Sequence, residues 1–330
     1  MDYSTQHHSV FIDGSAGTTG LRIAQRLSTR SDIQLITLPE PLRKDPAARA
    51  EALNSADVAI LCLPDSAARE ASALVANNHT VLIDTSTAHR TAAGWDYGFP
   101  EIHGQRSAIR NSRRIANPGC HASGFIALVA PLVSEGVLPP HTALTCFSLT
   151  GYSGGGKKMI AQYEAHCGAG TSQATLLSGP RAYGLSQQHK HIPEMTAISG
   201  LTTNPTFVPV VANFYAGLEV TVPIPAGLLS TSAADIYDLY ASYYADEPLI
   251  RIAASNSPEL AAESGFLSAA AYADRDDLEI SVHTSPQAPA GAPLTLVARF
   301  DNLGKGASGA AVQNLNIVIG APETTGLVYG

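Results

Sequence analysis

One cysteine lies where the sequence predicts the start of a helix. The stretch Asn117-Pro118-Gly119 predicts a tight turn, and Cys120 follows it directly. Apolar residues at i, i+3, i+4 and i+7 then predict an amphipathic helix; they are Phe125, Leu128, Val129 and Leu132. The unpaired N–H groups and the positive dipole end at a helix start stabilise a thiolate. Cys120 is therefore a candidate nucleophile; the alternative is a small buried residue, a common role for free cysteine.

A dense polar cluster follows later in the chain and contains two alternate histidines. If the segment is extended, His189 and His191 point the same way, because strand side chains repeat every two residues. Imidazole titrates near neutrality, so either ring suits acid–base catalysis. Glu194 nearby also raises a metal site as an alternative, but the remaining histidines and cysteines offer no partner motif. We expect no metal.

Two glycine-rich turns predict anion binding. The first follows a predicted strand, Val10–Ile12, and has the spacing GxxGxxG, a variant of the dinucleotide fingerprint whose pyrophosphate lies on a helix N-terminus. Its candidate cofactor-binding residues are Gly14, Ser15, Gly17, Thr18 and Thr19. The second turn opens a helix that runs to about His166, and its spacing is not that of an NTPase loop. Its candidate substrate-binding residues are Ser153, Gly154 and Lys157. Ordinary turns that use glycine for their geometry are the alternative for both.

The second predicted strand, Ile33–Leu38, bears on the choice between NAD and NADP. An acid at the end of this strand would bind the ribose hydroxyls of NAD, and Glu40 stands there. Arg43 and Lys44 come directly after it, and cations suit an adenosine 2′-phosphate better. We expect NADP.

Strands and helices alternate through the first part of the chain. Apolar strands at Asp57–Pro64 and Thr80–Asp84 complete the pattern of a Rossmann-type, doubly wound parallel sheet, an α/β fold. Ligands bind beyond the carboxyl ends of such strands, where Pro64, Ser86 and Arg90 lie.

The predicted alternation of strands and helices ends after Cys120. Strands without intervening helices, such as Leu278–His283 and Pro293–Asp301, predict a mixed sheet in an α+β domain. We expect an NADP-binding domain of residues 1–118 with 303–330, and a catalytic and oligomerisation domain of residues 119–302.

Composition limits the remaining functional classes. The 330 residues are 45% hydrophobic and 15% charged, with a formal net charge of -8 and no basic run, which argues against nucleic acid as a partner. No apolar run approaches the roughly 20 residues of a membrane span, and the first residues lack the apolar core of a secretory signal. The four cysteines show no CxxC spacing. We expect a cytoplasmic protein that binds neither nucleic acid nor membrane.

These motifs together resemble the N-acetyl-gamma-glutamyl-phosphate reductase family, in its shorter-chain form, over nearly all of the chain. The motifs that carry the resemblance are Gly14–Gly20, Asn117–Cys120, Gly151–Lys158, His189–Glu194 and Lys305–Gly309. The family usually follows its cysteine with Tyr-Pro-Thr, whereas this chain has His121-Ala122-Ser123, which brings a third imidazole near the thiol.

The resemblance implies NADPH-dependent reduction of an acyl phosphate to an aldehyde in arginine biosynthesis, through a thioester on Cys120, by a homodimer or homotetramer. It implies an acid–base role for His191 or His189. Further residues implied are Asn314 for the cofactor and Arg90, Arg113, Asn117 and Glu194 for the small-molecule substrate. Alternatives are another semialdehyde dehydrogenase such as aspartate-semialdehyde dehydrogenase, a cysteine hydrolase, and an NADP-binding redox sensor without catalysis.

Overall fold

The computed structural model describes residues 7–166, 171–254 and 265–330. The chain divides into two compact units: the first comprises Met1–Gly119 and Ala307–Leu327, and the second comprises Cys120–Gly306 and Val328–Gly330. The expected boundaries at residues 118 and 302 lie one and four residues from these, and residues 328–330 fall in the second unit rather than the first. Within the described ranges, no helix has the length and apolarity that a bilayer span requires.

The first unit is built on a six-stranded parallel sheet. Its strands are β1 (His8–Asp13), β2 (Ile33–Ile36), β3 (Val58–Leu61), β4 (Val81–Asp84), β5 (Asp96–Tyr97) and β6 (Arg114–Ala116), in the spatial order β2-β1-β3-β4-β6-β5. Its helices are α1 (Thr18–Leu27), α2 (Pro46–Ser55), α3 (Asp65–Ala73), α4 (Gln105–Asn111) and α10 (Gly309–Ile319). All the pairings are parallel, as the apolar strands predict.

Apolar side chains cover both faces of this sheet. Ile23 of α1 and Leu315 of α10 belong to one core cluster, and Leu53 of α2 and Ala71 of α3 belong to another. The strands carry residues into both clusters, which is why β3 is buried along its whole length. The predicted doubly wound α/β fold is confirmed.

The second unit contains a seven-stranded mixed sheet. Its strands are β7 (Thr145–Gly151), β8 (Arg181–Ala182), β9 (Thr206–Ala212), β10 (Leu218–Ile224), β11 (Ile250–Ala253), β12 (Leu278–His283) and β13 (Leu294–Phe300), in the order β11-β12-β13-β10-β7-β9-β8. Its helices are α5 (Cys120–Ser134), α6 (Gly156–His166), α7 (Ser172–Ser178), α8 (Ile192–Ile198) and α9 (Ala233–Tyr243). The pairs β7/β9 and β11/β12 are parallel and the others antiparallel, so the expectation of a mixed sheet is confirmed.

Helix α5 is the central helix of this unit. The apolar stripe predicted for it understates its burial, because every residue from His121 to Leu132 is buried. A Cβ on Gly124 would lie 2.6 Å from Val220 of β10, so glycine lets the helix approach the sheet closely. Tyr244, which follows α9, donates a 2.8 Å hydrogen bond to the Ala127 carbonyl on another side. The sheet and the residue that follows α9 therefore contact α5 on different sides.

Candidate active site

The candidate nucleophile occupies the predicted position. Cys120 is the first residue of α5, so the placement at the first helical turn is confirmed, and the residue is half-buried. Gly306 packs against it: a Cβ on that glycine would lie 2.8 Å from the Cys120 Cβ. Gly306, which belongs to the motif Lys305–Gly309, therefore leaves space for the Cys120 Cβ.

Three imidazoles gather beside this helix start. The His121 ring centroid lies 5.9 Å from that of His189 and 5.5 Å from that of His191, and the latter two lie 4.8 Å apart. The extended geometry considered for these histidines is wrong: the segment turns, with His191 in helical conformation as the N-cap of α8. The His191 N–H donates a 3.2 Å hydrogen bond to Nδ1 of His189. The turn, not strand periodicity, brings the rings together.

Glu194 lies behind His191 in the first turn of α8. One carboxylate oxygen is 3.8 Å from His191 Nε2, and both side chains are buried. The carboxylate of Glu194, which the sequence predicts as a substrate-binding residue, thus lies near the His191 imidazole. A buried carboxylate at this distance stabilises the protonated form of the ring.

His121 is the most enclosed of the three rings. Its Nδ1 is joined to Ser148 Oγ of β7 at 2.7 Å, and its Nε2 is joined to the Tyr183 hydroxyl, just after β8, at 2.8 Å. Burial, with a smaller contribution from the charge of His189, lowers the pKa of His121 to about 3. The ring is therefore neutral at physiological pH. Sequence reasoning missed both Tyr183 and Ser148, which no local motif marks.

The first glycine-rich loop has the geometry of a dinucleotide site. Gly14 has φ +88°, and a Cβ there would lie 2.3 Å from the Cys62 carbonyl oxygen. Gly17 is the N-cap of α1 with no side-chain cap, which leaves the amides of the first turn for an anion, and Thr18 and Thr19 open the helix. The loop borders a cavity of about 490 Å³.

That cavity has a cationic side. Its lining includes Ser15, Arg43 and Lys44 as predicted, and also Arg49, which was missed. Arg49 of α2 forms a 2.7 Å ion pair with Asp13 at the end of β1. Asp45 caps α2 and proline follows it, a helix-start signal that would have located this arginine. Pro64 precedes α3, next to Leu63, which lines the cavity.

Asn314 of α10 is fully buried, and its Nδ2 donates to the Gly98 carbonyl at 2.9 Å and to Asn117 Oδ1 at 3.1 Å. Among the described residues its own Oδ1 has no hydrogen-bond partner. A buried acceptor of this kind fits the carboxamide of a nicotinamide ring, as the glycine loop and the cations fit the rest of NADP. The predicted substrate residue Asn117 is tied into this network.

The carboxyl end of β4 carries a polar cluster. Asp84 accepts from the Ser86 hydroxyl at 2.7 Å and is joined to His89 Nδ1 at 2.6 Å. Arg90 is buried, and its Nε donates to the Asn117 carbonyl at 3.0 Å, which fixes the turn before Cys120. His89 was missed, although it lies next to the predicted Arg90.

The structure does not bring Arg113 to that edge. It precedes β6, at the amino-terminal side of the sheet, where it is exposed and donates to the Asn78 carbonyl. Ligands of parallel sheets bind at the opposite edge, so the substrate role expected for Arg113 does not fit its position.

The second glycine-rich turn divides into a buried and an exposed part. Ser153 is buried, and its hydroxyl accepts a 3.0 Å hydrogen bond from Asn302, so it supports the turn rather than facing solvent. Gly154 and Lys157 are exposed at the start of α6. They remain candidates for binding an anionic group of the substrate.

Comparison with known proteins decides the family. Residues 9–112 match the model of the semialdehyde dehydrogenase NAD-binding domain, and residues 120–302 match that of the semialdehyde dehydrogenase dimerisation domain. The N-acetyl-gamma-glutamyl-phosphate reductase of Trichormus variabilis is 45% identical over 322 residues, which is 96% of this chain and 98% of that protein. N-acetyl-gamma-glutamyl-phosphate reductase 2 of Pseudomonas putida is 43% identical over 328 residues, with coverage of 96% and 98%. The chain belongs to the N-acetyl-gamma-glutamyl-phosphate reductase family.

Solved structures show the same fold. Aspartate semialdehyde dehydrogenase of Francisella tularensis has a TM-score of 0.70 at 14% identity, covering 94% of this chain and 100% of that one. Aspartate semialdehyde dehydrogenase II of Vibrio cholerae has a TM-score of 0.68 at 16% identity, with coverage of 95% and 98%. With the family established, this reductase is an oxidoreductase that uses NADP, as the sequence predicted.

Proposed function

We propose that this reductase converts N-acetyl-gamma-glutamyl phosphate, NADPH and a proton into N-acetylglutamate 5-semialdehyde, inorganic phosphate and NADP⁺, by way of a thioester on Cys120. The observation that carries the proposal is the half-buried Cys120 at the start of α5, in a unit that gathers three imidazoles beside that helix start. The family relatives carry this substrate in their names. A thiol nucleophile divides acyl transfer into two easier steps.

Cys120 performs the acyl transfer. Its thiolate sulfur forms a bond to the acyl carbon while the carbonyl electron pair moves to oxygen. The carbonyl then re-forms and the carbon–oxygen bond to phosphate breaks, so that phosphate leaves with that electron pair. The amides of the first turn of α5 and the helix dipole favour the negative charge on the sulfur before it attacks.

His191 is the proposed acid–base residue: as the imidazolium it gives a proton to the departing phosphate. Glu194, 3.8 Å from His191 Nε2, supports the imidazolium, and the bond from the His191 backbone to His189 fixes the turn. A positioned general acid contributes about 10²- to 10⁴-fold to the rate. His189 is the alternative, since its ring lies in the same cluster.

NADPH, when bound, supplies the hydride that reduces the thioester. The Gly14–Gly20 loop would hold its pyrophosphate, and Arg43 and Lys44 would hold its 2′-phosphate. Asn314 would accept from the carboxamide through its buried Oδ1. Arg90, Gly154 and Lys157 are the proposed partners of the substrate's anionic groups.

The test runs the reaction in reverse, as phosphate-dependent reduction of NADP⁺ with N-acetylglutamate 5-semialdehyde, against aspartate semialdehyde as a control. Cys120→Ala is expected to abolish turnover while NADPH still binds. Its matched control is Cys146→Ala, which removes a buried thiol from β7 and should stay active. His191→Asn should lower turnover at least about tenfold at neutral pH. Full activity of Cys120→Ala, or a preference for aspartate semialdehyde, would contradict the proposal.

Self-association and location complete the proposal. Self-association is supported by the match of the second unit to a dimerisation-domain model. We infer a homodimer or homotetramer, which light scattering during gel filtration would measure. Among the described residues, Cys62, Cys120 and Cys146 form no disulfide, which supports a reducing, cytoplasmic location.

A further inference from the structure

His121 stands directly after the proposed nucleophile, yet it is not available as a catalytic base. Only 2% of its surface is exposed, and both ring nitrogens already have hydroxyl partners, Ser148 at 2.7 Å and Tyr183 at 2.8 Å. Burial keeps the ring neutral because its pKa falls to about 3. A neutral imidazole has one N–H donor and one acceptor nitrogen. If one hydroxyl donates to the acceptor nitrogen, the ring N–H must therefore donate to the other hydroxyl.

Tyr183 belongs to the same side-chain cluster as the imidazoles, since its ring centroid lies 5.8 Å from that of His189 and 6.3 Å from that of His121, the residue next to Cys120. Burial and then the charge of Cys120 raise the pKa of Tyr183, so its hydroxyl stays protonated in a site that holds a thiolate. The Tyr183 hydroxyl forms a 2.8 Å hydrogen bond with Nε2 of His121. The Tyr183 hydroxyl is thus protonated, interacts electrostatically with the Cys120 thiolate and is held by His121. These properties suit a hydrogen-bond donor to an oxyanion that forms next to the sulfur.

We propose that Tyr183 donates a hydrogen bond to the carbonyl oxygen of the substrate as Cys120 attacks, and that His121 is the positioning residue that holds Tyr183 for this task. This inference rests on the proposed function and deepens it. Ser148 donates its hydroxyl hydrogen to Nδ1 of His121, which leaves the ring proton on Nε2. That N–H donates to the Tyr183 oxygen, and the Tyr183 O–H is left to donate to the substrate.

The chemical step balances without proton transfer from Tyr183. The thiolate electron pair forms the carbon–sulfur bond, the carbonyl electron pair moves to oxygen, and the Tyr183 hydrogen bond stabilises that oxygen's negative charge. When the carbonyl re-forms, phosphate leaves with its electron pair and Tyr183 keeps its proton.

The experiment compares Tyr183→Phe, His121→Phe, His121→Gln and the double phenylalanine variant in the reverse assay. Tyr183→Phe removes only the hydroxyl and should lower kcat about a hundredfold with little change in KM for the aldehyde. His121→Phe should show a similar loss. His121→Gln keeps a side-chain amide near the position of Nε2 and should recover most of kcat.

Two further readouts separate positioning from structural damage. Alkylation of Cys120 by iodoacetamide, NADPH binding and the thermal midpoint should stay near wild-type values in Tyr183→Phe and His121→Gln. The double variant should be no slower than Tyr183→Phe, because both changes remove the same hydrogen bond.

Each contrary result has a defined meaning. The inference is overturned if Tyr183→Phe has the wild-type kcat, or if Tyr183→Phe and His121→Gln lose Cys120 alkylation in parallel with kcat. It is also overturned if the two single losses multiply in the double variant. If Tyr183→Phe is fully active while Cys120→Ala is inactive, the inference fails and the thioester proposal stands. If Cys120→Ala is active, the thioester proposal itself fails.

Discussion

Gly306→Ala tests whether the position of the sulfur controls turnover. The added Cβ would lie 2.8 Å from the Cys120 Cβ and 3.1 Å from the Asp301 carbonyl oxygen. Two carbon atoms rest at about 3.5 Å or more, so the helix start or the glycine must move by about 0.7 Å. A misplacement of about 1 Å at a reacting group can lower the rate about a hundredfold, while overpacking lowers stability by about 1–3 kcal/mol. We expect kcat to fall at least about tenfold.

The assay is the reverse reaction, with NADPH binding and the thermal midpoint measured on the same samples. Gly179→Ala is the matched control, since a Cβ at that glycine meets no atom within 4 Å and its φ is not positive. The reasoning is refuted if Gly306→Ala turns over at the wild-type rate, or if it loses NADPH binding along with activity.

Three other predictions concern the thiols and the cofactor loop. Burial raises the pKa of Cys62 to about 12 and raises that of Cys146 further, so both thiols stay protonated at neutral pH. Peptide mapping after brief iodoacetamide treatment at pH 7 should therefore find Cys120 as the first of the three to be labelled. Labelling of Cys62 should appear only in strong alkali. Gly14→Ala should abolish NADPH binding in a fluorescence titration, because its Cβ would strike the Cys62 carbonyl at 2.3 Å and φ is +88°; retained affinity would contradict the loop assignment. Arg43→Ala should raise the KM for NADPH and leave that for NADH nearly unchanged, and an equal change in both would exclude a role at the 2′-phosphate.

The long elements of the fold are predictable from local patterns, and the short ones are not. The strand Leu278–His283 has the predicted bounds, and β1, β3 and β4 were located within a few residues, because burial on both faces leaves apolar runs. Strands β5 and β8 have two residues each, too few to show a period. They exist because β6 and β9 offer them pairing partners, and that information is spread along the chain.

The site divides in the same way. Cys120 and the cofactor loop carry local signals, since a turn before a helix and a glycine triplet after a strand have known physical uses. Tyr183 lies 62 residues from His121, and only the pairing of β8 with β9 in the folded sheet brings it near. The turn at His191 had a signal in Pro193, which favours the first turn of a helix over an extended strand.

Twelve consecutive residues of α5, His121 to Leu132, have no face toward water. Beyond the first turn, the amides from Gly124 to Leu132, apart from Pro131, which has no N–H, are both buried and within the helix, so we expect them among the slowest-exchanging amides of the molecule. The Cys120 sulfur is thus attached directly to the start of a segment that is buried along twelve residues.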